Sequence, residues 1–213
     1  MINKINFNIL FKPLMIISAA VALSGIIMLL IFGGNTFAEY TVNNLRTSLV
    51  VKIIVFSVLL VLFATAYLFL RFKKKGLWLG LFAGIGAAVN SVTAFCVCIV
   101  FRASLGDIAL ALAVFAALVT YLTALVFANK LSAVVIKKNT NKEELYLDIA
   151  RNTLATLIIP IILFVIVVLV GFVVSLIFSA YILSLYALPV IFTLVYSVIF
   201  TITFTCNLYF RKI

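Results

Sequence analysis

This sequence contains no histidine, and its acidic residues number only five: Glu39, Asp107, Glu143, Glu144 and Asp148. The first absence removes the imidazole that most often ligates metals or moves protons near neutral pH. The second matters through position, because every carboxylate falls between the long apolar runs and none falls within one. Ionisable groups inside a membrane mark proton and ion paths, since their cost is offset only by function. The chain therefore offers no relay of the carboxylate or imidazole type. Cysteine occurs three times and proline three times. Cys96 and Cys98 stand about 200° apart around a helix and cannot face one another. With Cys206 they read as small buried apolar residues and not as a metal or redox centre. No nucleophile–base pair, glycine-rich phosphate loop or metal-ligand spacing occurs. That pattern argues against an enzyme and against any bound cofactor.

Hydrophobic residues make up 67% of the chain, which leaves no room for a soluble domain. Six apolar stretches run over 14–32, 53–70, 77–101, 108–127, 154–178 and 185–208. Each is near the roughly 20 residues that span about 30 Å of hydrocarbon. The expected fold is an all-α integral membrane protein: one six-transmembrane-helix bundle over residues 1–213, with no extracytoplasmic domain. Lys4 and Lys12 ahead of the first run resemble a secretory leader. The run is longer than such a leader's apolar core of about 7–15 residues, and Phe37-Ala38-Glu39 is a poor cleavage site. It is expected to stay as the first span.

Charge sets the topology. If the six runs cross the bilayer in turn, thirteen of the sixteen Lys and Arg residues lie on one side. They are Lys4, Lys12, Arg71, Lys73, Lys74, Lys75, Lys130, Lys137, Lys138, Lys142, Arg151, Arg211 and Lys212; only Arg46, Lys52 and Arg102 fall opposite. Short loops rich in Lys and Arg stay cytoplasmic, so both termini are expected there, in a multi-pass protein of the cell membrane. The net charge of +11 reads as this topology signal plus attraction to anionic lipid in the bilayer. No basic stretch interleaves with exposed aromatics, so nucleic acid is not an expected partner.

Between the fourth and fifth runs, Asn139–Arg151 reads as an amphipathic helix lying along the cytoplasmic surface and running into the fifth span. Asn141 is its cap, Glu143 and Glu144 fill its first turn, and Leu145, Tyr146 and Ile149 form its apolar stripe. Gly76, Gly80 and Gly84 recur every four residues in the third span, as do Ala109, Ala113 and Ala117 in the fourth. Rows of small residues allow close helix contact in lipid. They serve packing within the chain or, on the fourth span with the third nearby, a face for a partner subunit. Pro160 and Pro189 are expected to bend their spans. Neutral polar residues occur at depth: Asn90, Ser91 and Thr93; Thr120, Tyr121 and Thr123; and Thr193, Tyr196, Ser197, Thr201, Thr203 and Thr205 in the sixth span. Ser and Thr can bond to carbonyls one turn back, whereas Asn90 is the most costly to bury unpaired. These residues read as interhelical hydrogen bonds or as a polar path.

Three stretches resemble the SecF/SecD family of the RND superfamily, membrane subunits that assist protein export beside the SecYEG channel. Gly33-Gly34-Asn35-Thr36-Phe37-Ala38-Glu39-Tyr40-Thr41 is similar to SecF's GLNLGIDFT. It shares Gly33, Asn35 and Thr41, with Glu39 standing for Asp. Tyr67-Leu68-Phe69-Leu70-Arg71-Phe72 is similar to the family's Y-x-x-x-R-F. Gly80-Leu81-Phe82-Ala83 through Asn90 is similar to the SecD-type GLIANIALLLN. Two regions agree more loosely: Leu125–Lys130 with the VVFDRI segment, and Arg151 to Gly171 in length. The resemblance spans nearly the whole chain and implies a SecF-like scaffold that pairs with a SecD-like half. The chain departs from the family in two ways. About 20 residues replace the extracytoplasmic domain, and the fourth-span Asp linked to proton use aligns with Leu122 (SecF-type) or Tyr121 (SecD-type). The expected function is thus a reduced SecF-like export subunit without its own proton relay. Its rivals are a small-solute permease with a groove of Asn90, Tyr121 and Tyr196, and a structural membrane-assembly factor.

Overall fold

The computed structural model describes residues 47–101, 107–134, 142–177 and 181–212, with Pro13, Ile16 and Ala20 as isolated positions. The expected first span, 14–32, otherwise lies outside the described residues, as do Gly33, Asn35, Glu39 and Thr41. The described residues are helical and contain no strand. Helix α1 is Thr47–Phe72, α2 is Lys74–Val100, α3 is Asp107–Ala133 and α4 is Lys142–Ile177. The last element starts as α5 (Tyr181–Phe200), widens into a π-helical segment over Thr201–Cys206 and ends as α6 (Asn207–Lys212). Among the described residues, four stretches are long and apolar enough to cross a membrane: Lys74–Cys98, Ala111–Ala133, Lys142–Ile177 and Tyr186–Lys212. Such a set belongs to a membrane protein.

A one-residue turn joins α1 to α2. Lys73 takes φ 55°, and its N–H donates to the Phe69 carbonyl at 2.7 Å, as in a left-handed helix cap. The return is so tight that a Cβ on Gly76 would stand 1.9 Å from the Leu68 carbonyl oxygen. One turn on, a Cβ on Gly80 would meet the Thr65 methyl at 2.6 Å. The glycine row of α2 is thus filled by α1 of the same chain. Ala113 and Ala117 are buried too, and Ser91 Oγ donates to the Ala113 carbonyl at 2.8 Å. Of all the helix pairs, α2 and α3 share the most extensive contact. Of the two expected uses of these small residues, packing inside the chain is the one seen at Gly76, Gly80, Ala113 and Ala117. Ala109 lies in α3, but its side chain is outside the description.

The Asn139–Arg151 segment runs into the fifth span as expected: from Lys142 on, it is the opening of α4, a single helix of 36 residues. Thr153 and Thr156 donate to the carbonyls of Ile149 and Asn152, so these polar residues are satisfied within the helix. Leu145, Tyr146 and Ile149 are buried, as the stripe requires. The Tyr146 ring lies 6.0 Å from Phe127 and 5.6 Å from Phe210. Beyond Ile159 the helix is apolar and largely exposed, including Leu163, Val167, Val170 and Ile177. Phe164 stacks on Phe115 of α3 at 5.2 Å. Pro160 and Pro189 both sit inside continuous helices.

Candidate functional site

Three helices cross at Asn90, which is fully buried. Its Nδ2 donates to Thr120 Oγ1 of α3 at 2.7 Å and to Thr201 Oγ1, the first π-helical residue, at 3.4 Å. Both hydroxyls already donate to carbonyls one turn back, Thr120 to Ala116 at 2.8 Å and Thr201 to Ser197 at 2.6 Å. Their protons are spent, so each hydroxyl must accept from the amide. This determines which way Asn90 faces. Its Oδ1 is left buried without a hydrogen-bond partner among the described residues, as are Thr193 Oγ1, Ser197 Oγ and Thr205 Oγ1. A bare glycine brings the last helix this close: a Cβ on Gly86 would stand 2.3 Å from Thr205 Oγ1.

The π-helical segment adjoins this crossing. Such segments are uncommon and often lie at functional sites. The Tyr146 hydroxyl of α4 donates to the Ile202 carbonyl, and side chains that bond into the helical ladder are an identifiable cause of local distortion. Along the same helix, Phe192, Tyr196, Phe200 and Phe204 stack in series at 5.8, 5.7 and 5.2 Å. Four α-helices thus contribute to one buried region: α2 and α3 through Asn90 and Thr120, the last element through Thr201 and Thr205, and α4 through Tyr146.

The other sequence candidates separate clearly. Tyr121 is 6% exposed, and its hydroxyl comes to 3.4 Å from where a Cβ on Gly84 would stand. Leu122 is 57% exposed and points outward. Of the two positions aligned with the family Asp, only Tyr121 faces the interior, next in sequence to Thr120. Arg71 Nη1 donates to Tyr67 OH at 3.0 Å, and its guanidinium lies 5.6 Å from the Phe72 ring centre. The Y-x-x-x-R-F residues therefore form one local cluster at the end of α1. Cys96, Cys98 and Cys206 are all buried. Among the described residues no cluster of His, Cys, Asp or Glu could hold a metal.

Sequence reading named Asn90, Thr120, Ser197, Thr201 and Thr205 but missed Gly86, which breaks the four-residue row by two positions. It also missed the π-helical segment and its bond from Tyr146. Gly86 lies one helical turn before Asn90, a spacing that could have signalled a close approach there. The π-helical segment has no signature in sequence. No protein-family description, curated protein or solved structure matches this chain.

Proposed function

We propose that this chain is a SecF-like auxiliary subunit of the Sec protein-export machinery in the cell membrane. It pairs with a SecD-like half beside the SecYEG channel and acts as a brace without catalysing or relaying protons. The observation that carries this role is the neutral crossing of Asn90, Thr120 and Thr201, whose amide and hydroxyl protons are all engaged within the bundle. It lies one residue from Tyr121, where the resemblance would put an Asp. A tyrosine has a reference pKa of about 10 and carries no charge near neutral pH. The order and spacing of the resembling stretches support the same role, and any proton-linked Asp then belongs to the partner.

The test is purification of the full chain in mild detergent, followed by identification of what accompanies it. A SecD-like protein and channel subunits in constant ratio are expected. Isolation as a lone chain that a small solute stabilises would reject the export role and favour a permease. One observation favours that second reading: the Asn90 Oδ1 acceptor and the Thr193, Ser197 and Thr205 hydroxyls are buried without partners among the described residues. A polar solute with both donor and acceptor groups would satisfy them.

A further inference from the structure

A cavity of about 360 Å³ opens between the start of α4 and the end of the chain, lined by Lys142, Glu143, Tyr146, Asn207, Phe210 and Arg211. Its size is at the small end of ligand pockets, about 300–1,000 Å³. Two of its six residues are cations. Arg211 is held in place, because its Nε donates to Asn207 Oδ1 at 3.0 Å. That bond occupies one edge of the guanidinium and leaves both Nη groups for a two-point contact, the geometry that suits a phosphate. Lys142 stands at the positive end of the 36-residue α4, which adds to the attraction for an anion. Glu143 brings one negative charge to the wall and has an interaction of its own. The floor is aromatic. Tyr146 and Phe210 lie 5.6 Å apart, and the Tyr146 hydroxyl is turned away to Ile202. It therefore offers the pocket its ring.

The setting narrows the ligand. Lys212 Nζ sits 4.9 Å from the ring centre of Trp78, which is 43% exposed. Lys73, Lys74 and Lys75 lie at the same end, where α2 begins. Half-exposed tryptophan among lysines belongs at the level of lipid headgroups. A pocket there, with a cationic rim and an aromatic floor between membrane helices, fits a ligand that joins a phosphate to an apolar body.

We propose that this cavity binds the phosphate of an anionic phospholipid headgroup through Arg211 and Lys142. The proposal does not depend on the export role. Its test uses the full chain in nanodiscs of phosphatidylcholine with increasing phosphatidylglycerol, with bound lipid counted by native mass spectrometry. One saturable phosphatidylglycerol per chain is expected, with affinity reduced about tenfold in Arg211→Gln or Lys142→Gln. Arg211→Lys keeps the charge and loses the fork, so it should fold and weaken binding by a smaller factor. Lys74→Gln removes the same charge outside the pocket and should leave the tight site intact. Equal losses in Lys74→Gln and Arg211→Gln would show general surface attraction and overturn the proposal. So would the absence of any preference for phosphatidylglycerol. Inorganic phosphate that binds as tightly as the lipid, with the same dependence on Arg211, would overturn the lipid assignment and make the site one for a soluble phosphate.

Discussion

Asn90 shows how a single side chain joins helices in a membrane. Its two bonds cross from α2 to α3 and to the last helix, and such bonds contribute about 0.6 kcal/mol each on average, up to about 1.7. Asn90→Ala is expected to cost about 1–2 kcal/mol, and Thr120→Val about half of that. The double variant should lose less than the sum, with a coupling near 0.5–1 kcal/mol, as measured by reversible unfolding in mixed micelles. Strictly additive losses would mean that the bond contributes nothing. Glycines are graded in the same way. Gly76→Ala drives a Cβ into the Leu68 backbone at 1.9 Å, whereas Gly84→Ala meets only ordinary contacts at 3.4 and 3.7 Å. A loss of about 1–3 kcal/mol is expected for the first and under about 0.5 kcal/mol for the second. Equal thermal midpoints for the two variants would contradict the close approach of α1 and α2. If the proposed export role holds, removal of the hydroxyl in Tyr121→Phe should leave export rate and its pH dependence at the parent level. Loss of gradient-driven export in an assembled variant would make Tyr121 part of the relay.

Elements carry a different kind of information. The α4 helix combines a buried opening with a second half that is apolar but for Ser175, and no break separates them because its threonines bond to their own carbonyls. The π-helical segment is tied to this helix through Tyr146. Tyr146→Phe keeps both ring contacts and removes only that bond, so a loss of about 0.5–1.5 kcal/mol is expected. Amide exchange should quicken in Thr201–Cys206 before it does in α2. Unchanged exchange there would show that the π-helical segment stands without Tyr146. Hydropathy alone located these helices to within a few residues at most ends, but it started α4 twelve residues late, at 154 instead of Lys142. Polar residues at 142–153 lower the apolar signal, yet they are compatible with helix once one face is buried by neighbours distant in sequence. Asn90 was legible as a costly buried amide. Gly86 was legible only through its place one turn before Asn90, and nothing in the sequence showed that Thr205 is what approaches it.

For the whole molecule, the charge distribution predicts six spans with both ends cytoplasmic. Cysteine introduced at Ser104 should react with an impermeant thiol reagent from outside the cell, and cysteine at Lys138 should not. The native cysteines are buried, so background labelling should be low. Labelling at Lys138 with Ser104 silent would reverse the topology. The sequence by itself determined that this is a helical membrane protein, where most of its helices run, and that its apolar runs hold no carboxylate or imidazole. These are sums over residues: about 20 apolar side chains suffice to make a span whatever surrounds them. Tertiary structure alone decided that the small-residue rows are spent within the chain, that Tyr121 faces inward while Leu122 faces out, that Asn90 bonds to Thr120 and Thr201, and that Arg211 meets Lys142 across one cavity. Each depends on the rotation and approach of helices far apart in sequence. In lipid the apolar surface is equally content on every side, so hydrophobicity does not choose that rotation and close packing with hydrogen bonding does.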